Sequence, residues 1–313
     1  MLKYAGLRLL SVLPVAACVV TVVFLLLHLA PGDPAALVAG DQATPERIAS
    51  IRARLHLDQP LYVQFGIWLG NLVTFDLGRS VFSDQPVARL IGLRLEPTLM
   101  LALTTTVLSV LFAVPLGVLA AWKARGVVDR LAMGLSVLGF SVPVFVIGYG
   151  LIYLFSITLG WFPVQGYKPL ASGVWPCLNS LILPSIALAF VFAALVARVT
   201  RAAMLEILAE DYVRTARAKG VGSARVLLLH ALKNAGVPIM TVIGISFAAL
   251  VGGVVVTESV FNIPGVGRLT IDAILNRDYP VVQGILLLFS ALLIAVNLVV
   301  DLSYALFDPR VRY

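Results

Sequence analysis

Six apolar runs, each about long enough to cross a bilayer, constrain this chain more than any other feature. A helix needs ~20 mostly apolar residues to span the hydrocarbon core. The runs fall at about Leu9–Ala30, Thr98–Trp122, Leu131–Leu159, Leu181–Ala197, Ala235–Thr257 and Val281–Leu306. The fourth is the shortest and can extend into the polar stretch behind it. Composition agrees: 60% of residues are hydrophobic and 12% charged, too little polar surface for a soluble domain of this size. The expected fold class is an all-α integral membrane protein with six transmembrane helices. The first run, behind Lys3 and Arg8, is longer than the apolar core of a cleavable leader. Pro31 also follows its Leu29–Ala30 end, so we read a retained span.

Basic residues orient the spans. An even number of crossings puts both termini on one side. That side carries fourteen Arg or Lys against six acids, and the other carries nine against ten. The bias places both termini in the cytosol of a multi-pass cell (inner) membrane protein. The net charge of +7 is then loop charge and not a nucleic-acid footprint, because no basic domain stands apart from the spans.

The expected organisation is a cytoplasmic N-terminus and first span (1–30), an extracytoplasmic segment (31–97), a transmembrane core (98–306) and a short cytoplasmic tail (307–313). The 31–97 segment is too long for a simple loop. Thr44-Pro45-Glu46 marks a helix start, and the run to His56 is helix-forming. Leu61–Leu72 is amphipathic, with Tyr62, Phe65 and Trp68 suited to a membrane interface or a subunit contact. We read a small cap there, not an independent enzyme. Prolines 14, 115, 143, 184 and 238 predict kinks, which serve either packing or rocking of the spans.

Groups for chemistry are scarce. Cys18 lies in an apolar run and Cys177 in a polar connection, so no disulfide is expected. Three scattered histidines do not make a metal cluster. No lysine follows a glycine, which excludes the Gly-Lys core of a nucleotide-binding P-loop. There is no H-E-x-x-H and no G-x-S-x-G. Ionisable groups within spans are costly and usually functional, yet these spans carry almost none. His28, Asp301 and Glu258 sit near span ends and read as interfacial or packing residues. The same shortage argues against an ion-coupled secondary transporter. If the chain moves a solute, the energy comes from outside it.

One polar interruption, Arg198–Asn234, holds seven Arg or Lys against three acids between two spans. Leu205, Leu208, Tyr212 and Ala216 fall at helical spacing. Gly220 and Gly222 can end that helix, and Ser223 can cap a second one through Val226, Leu229 and Leu232 to Asn234. Pattern alone leaves two readings open: a helix lying on anionic lipid, or a helix that docks on a partner.

The literal residues resemble a known family. DYVRTARAKG (211–220) followed by HALKN (230–234) resembles the cytoplasmic coupling motif of ABC importer permeases. The general motif begins E-A-A; aligned on Gly220, those positions are Arg214, Thr215 and Ala216. Asn234 ends the motif without the usual proline. Both departures resemble the peptide-permease branch. Further blocks are HLAPGDP (28–34), LHLDQPLYVQFGIWLGN (55–71), DLGRS (76–80), PVARLIGLRLEPTL (86–99), VTESVFNIPGVGRL (256–269), RDYPVVQG (277–284) and DPRVRY (308–313). Together they resemble the first, B-type permease subunit of dipeptide/oligopeptide/nickel ABC importers, over nearly the whole chain. The resemblance implies the type I importer permease fold, with coupling helices between spans four and five. It implies a homologous second permease, two cytosolic ATPase subunits that bring ATP and Mg²⁺, and an extracytoplasmic solute-binding protein. It assigns ATPase coupling to Asp211, Tyr212, Arg214, Thr215, Ala216, Ala218, Lys219, Gly220, His230 and Asn234. Short peptides are the expected substrate, with nickel chelates, glutathione and opines as alternatives; no substrate-binding, catalytic or metal-ligating residue is assigned.

Overall fold

Apolar length becomes helix in every run, and among the described residues no β-strand forms. The computed structural model describes residues 2–29, 33–40, 44–54 and 56–307. The 308–313 tail, the middle of HLAPGDP and Leu55 lie outside the described residues. Among those described, the helices are α1 (Leu2–Leu29), α2 (Pro34–Ala39), α3 (Pro45–Arg54), α4 (Leu61–Val73), α5 (Val87–Trp122), α6 (Val127–Ser141) and α7 (Val144–Leu151). There follow α8 (Val174–Leu208), α9 (Asp211–Ala218), α10 (Ser223–Arg225), α11 (Gly236–Gly253), α12 (Val255–Val260), α13 (Val266–Leu275) and α14 (Tyr279–Phe307). Helices α1, α5, α8, α11 and α14 are long and apolar enough to cross a membrane.

The third span differs from its expectation. The sequence predicted one span over Leu131–Leu159 with a kink at Pro143, but there the chain breaks and α6 and α7 meet at 99°. Pro143 has no N–H to donate and biases the residue before it toward extended backbone. Val142 accordingly sits at φ −94°, ψ 123°. Beyond α7 the chain widens into a π-helical turn, Ile152–Thr158. The bent pair still traverses the bundle. It begins beside Arg201 near the C-terminus of α8 and returns to the N-terminus of α8 through the loop after Thr158. We call these the lower and upper ends.

Other boundaries move outward or break. Helix α5 starts at Val87 and not Thr98, so residues 87–97 extend a span rather than close the preceding segment. Helix α8 starts at Val174, so Cys177 is buried in its first turn and not in a polar connection. The fifth run breaks at Val254, leaving α12 separate. Pro14, Pro115 and Pro184 lie inside helices, whereas Pro238 occupies the first turn of α11, where a proline forces no bend.

Helix α8 is the axis. Gly117 of α5 lies against it so closely that a Cβ would come 2.7 Å from the Ala197 carbonyl oxygen. Gly139 of α6 does the same higher on α8, 2.8 Å from the Phe190 carbonyl oxygen. At the upper end the loop 160–173 straps two elements together. Glu96 of α5 accepts the Tyr167 hydroxyl (2.8 Å) and the Leu170 N–H (2.7 Å), and Gly166 N–H donates to the Phe261 carbonyl (2.9 Å). Burial, helped by the Glu96 bond, pushes the Tyr167 hydroxyl above its ordinary pKa, so it stays a donor. Glu258 is fully buried and accepts from Thr98 Oγ1 (2.7 Å) and Arg268 N–H (2.9 Å). Thr98 in turn accepts Val266 N–H (2.8 Å). The carboxylate therefore ties α12, α13 and α5 together, which makes it a packing residue.

The cap is bound to the bundle as well. Ala35 and Ile51 form a small core with Val81 and Tyr279, and Ser80 with Val81 hydrogen-bonds Asp278. Phe65 and Trp68 of α4 pack on Phe24 of α1, at centroid distances of 5.1 and 5.6 Å. Phe65 and Trp68 are thus half-buried against α1, and Tyr62 of the trio is exposed.

Gly117→Ala should cost about 1–3 kcal/mol through helix separation, whereas Gly134→Ala, whose Cβ would meet open space, should be tolerated. Thermal unfolding of the two detergent-solubilised variants checks this.

Candidate functional site

The polar stretch at the lower end folds as two short helices on a braced turn. The expected continuous stripe from Leu205 to Ala216 is divided: α8 ends at Leu208, Ala209–Glu210 turn the chain, and α9 begins at Asp211. Leu205 and Leu208 therefore pack inside the bundle, while Tyr212 and Ala216 belong to the new helix. Asp211 in the first turn and Arg217 in the last turn of α9 complement its dipole. Arg214 reaches back to Asp211 at 3.3 Å, and Thr215 Oγ1 donates to the Asp211 carbonyl at 3.0 Å. Both ends of that ion pair are exposed, so it adds little stability.

Helix α9 stops on Gly220, as its sequence implied. Gly220 adopts φ +79°, the left-handed region that a side chain strains. Its N–H donates to the Arg217 carbonyl (2.9 Å), and the Val221 N–H donates to the Ala216 carbonyl (3.1 Å). These two bonds are a Schellman ending, which satisfies carbonyls the helix leaves free. Ala218 closes the helix, and Lys219 caps it with its N–H on the Thr215 carbonyl. Both side chains face outward.

The next helix departs from its expected register. Gly222 and not Ser223 occupies the N-cap, and no side chain caps it. From Val226 to Leu232 the backbone is π-helical, so residues five apart share a face. Val226, Leu227 and Ala231 are buried, while Leu229 is exposed. Leu227 and Ala231 pack with Val118 and Ala121 of α5 and with Ala203 and Met204 of α8. This apolar seat holds the element to the bundle.

Three residues of the coupling motif meet in one brace. Tyr212 Oη donates to the His230 carbonyl (3.3 Å) and accepts from Asn234 Nδ2 (2.7 Å). Asn234 Nδ2 also donates to that carbonyl at 3.0 Å. Next to Tyr212, Val213 is fully buried, on a helix that packs against residues 226–232. Arg214, Arg217, Lys219, Arg225 and Lys233 stand exposed around the pair. The arrangement is a projecting, braced surface with a cationic rim, and among the described residues no cluster able to hold a metal forms there.

Two features had no local signal in the sequence. Val213 reads as one more apolar letter until its neighbours are placed. Asp129, in the first turn of α6, pairs with Arg201 of α8 across 72 residues. Arg201 Nε lies 2.5 Å from Asp129 Oδ1, and its NH2 donates to Oδ2 at 2.7 Å. Asp129 Oδ2 also accepts the Arg125 N–H (2.8 Å), closing the turn from α5.

Tyr212→Phe should loosen α9 by about 0.5–1.5 kcal/mol. Amide exchange should speed up over 211–221 while the melting temperature of the whole protein holds.

Residues 113–313 match the family described as "Binding-protein-dependent transport system inner membrane component", and residues 1–102 match its N-terminal membrane component. A probable peptide ABC transporter permease protein of Sinorhizobium fredii is 55% identical over 98% of both chains. A putative peptide transport system permease protein of Brucella abortus is 47% identical over 98% of both. The glutathione transport system permease protein of Escherichia coli is 46% identical over the full length of both. Among solved structures, the MetNI methionine ABC transporter in an inward-facing conformation aligns with a TM-score of 0.58 and 17% identity. That alignment covers 70% of this chain and 96% of the other, and it shows a shared fold.

Proposed function

We propose a function from one premise: this chain belongs to the family of binding-protein-dependent transport system inner membrane components. It is a membrane-embedded permease subunit of an ABC importer with the type I importer permease fold, and an ion-coupled carrier finds no support. Such a permease works with ATPase and substrate-binding partners. Our finer reading is that two cytosolic ATPases, with their ATP and Mg²⁺, drive one pathway shared by this chain and a homologous second permease. An extracytoplasmic binding protein delivers the solute to the upper end. Both termini and the 198–234 stretch face the cytosol, and the 31–97 cap faces out, as the basic-residue bias favours. In this reading the chain does no ATP chemistry itself.

The substrate we assign is a short peptide. Full-length likeness to two peptide permeases supports it. Glutathione, itself a modified tripeptide, is the second reading, favoured by the full-length relative that transports it by name.

One observation carries the coupling assignment: Asp211–Asn234 forms a braced helix pair that is seated on α5 and α8 and directly continues α8. A surface fixed in this way can accept a push from a docked ATPase and pass it into the spans. ATP binding draws the ATPases together, the docked helices follow, and the pathway changes the side to which it opens.

Gly220→Val tests this. The added side chain meets no neighbour, so its effect comes from φ +79°, at about 1–2 kcal/mol of local strain. ATP hydrolysis should continue while peptide uptake into proteoliposomes drops; uptake at the normal rate would remove the coupling role. Competition of labelled dipeptide uptake by excess glutathione separates the two substrates. Strong competition would favour the glutathione reading, and none would favour the peptide reading.

A further inference from the structure

The Asp129–Arg201 pair lies outside the coupling motif, yet it sits where motion from that motif must first be shared. Helix α8 runs without a break from the upper end to Leu208, and only Ala209 and Glu210 separate it from α9. A displacement of α9 is therefore a displacement of the lower end of α8. Arg201 lies two turns above that end. Its guanidinium grips both oxygens of Asp129, whose side chain is 6% exposed against 26% for Arg201. This fork is planar and directional, unlike the point charge of a lysine. Asp129 simultaneously holds the Arg125 N–H, so one carboxylate locks the α5–α6 turn to α8.

The rest of the contact is built for shared motion. Gly139 brings α6 against α8 at Phe190 and Ala194, and Gly117 brings α5 against it one to two turns lower, at Ala197 and Thr200. Between them, α5, α6 and α8 touch at points that leave no room for a side chain to slide. The next freedom along α6 is the break at Val142–Pro143, where α7 departs at 99°. Beyond it, α7 packs on α8 and on the α12 region, where Gly148 lies against Phe261 and Val260.

We propose that Asp129 is a positioning residue for transport, whose bidentate hold on Arg201 makes α6 follow α8 when the docked helices move, so that the bend at Val142–Pro143 works as the hinge. The proposal rests on the reading of Asp211–Asn234 as the ATPase-docking element. A pair that merely neutralised a buried charge would be content with any cation at position 201. A strut needs the fork.

The test uses the full transporter, with both permeases, the ATPases and the binding protein, in proteoliposomes. The readout is substrate taken up per ATP hydrolysed, normalised to assembled complex. Asp129→Asn keeps an acceptor for the Arg125 N–H but loses the charged fork; Arg201→Lys keeps the charge and loses the fork. Each should assemble and hydrolyse ATP while the ratio falls roughly tenfold, and the exchange Asp129→Arg with Arg201→Asp should recover part of it. A wild-type ratio in Arg201→Lys overturns the proposal, as does loss of uptake and hydrolysis in step.

If the variants fail to assemble, spin labels at the exposed positions Val127 and Ala202 decide the matter in an otherwise unaltered pair. Their separation should hold constant between the nucleotide-free and ATP-bound states, and a change overturns the strut. A photo-crosslinker at exposed Arg217 keeps the two readings apart. Without any ATPase adduct the docking assignment fails; with adducts and a coupled Arg201→Lys, only the strut fails.

Discussion

Everything in this chain hangs from the close approach of α5 and α6 to α8. Lipid offers no hydrophobic drive for one helix to seek another, so small residues that let backbones touch take over that task. Gly117 and Gly139 supply the contact at two successive levels of α8. Once α8 is held, both of its ends become reference points. The lower end carries the docking element through Met204 and Ala203, and the upper end receives the strap through Cys177 and Tyr167. The remaining spans fill in around this trio, with α11 and α14 packed as a second group and α1 laid on α14.

The apolar spans and the position of the polar interruption between two of them were legible because both depend on local composition. A run of apolar residues announces a span wherever it lies, and a Gly with basic neighbours between two spans announces a turn at the surface. Helix ends were not legible in the same way. Residues 87–97 contain Arg89, Arg94 and Glu96, which look like loop until Glu96 is seen holding the strap. The break at Pro143 was visible as a kink but not as a right angle, since one proline dictates missing bonds and not the direction taken afterwards.

Within the candidate site three of the motif letters come together for reasons that only geometry supplies. Tyr212, His230 and Asn234 are separated by up to 22 positions and share one hydrogen-bonded knot. The π-helical register of Val226–Leu232 moved the buried face from Leu229 to Leu227 and Ala231, because a wider turn changes which residues align. Pairings across 72 or 160 residues, such as Asp129 with Arg201 or Thr98 with Glu258, have no local trace at all.

The strap at the upper end divides stiffness unequally along the molecule. Glu96 and the Phe261 carbonyl fasten one loop to both α5 and the α12 region, and Glu258 fastens those same two again from beneath. That end of the chain is latched twice. In the proposed mechanism, an opening there would carry α5 and the α12 region together and part along some other line than the one between them.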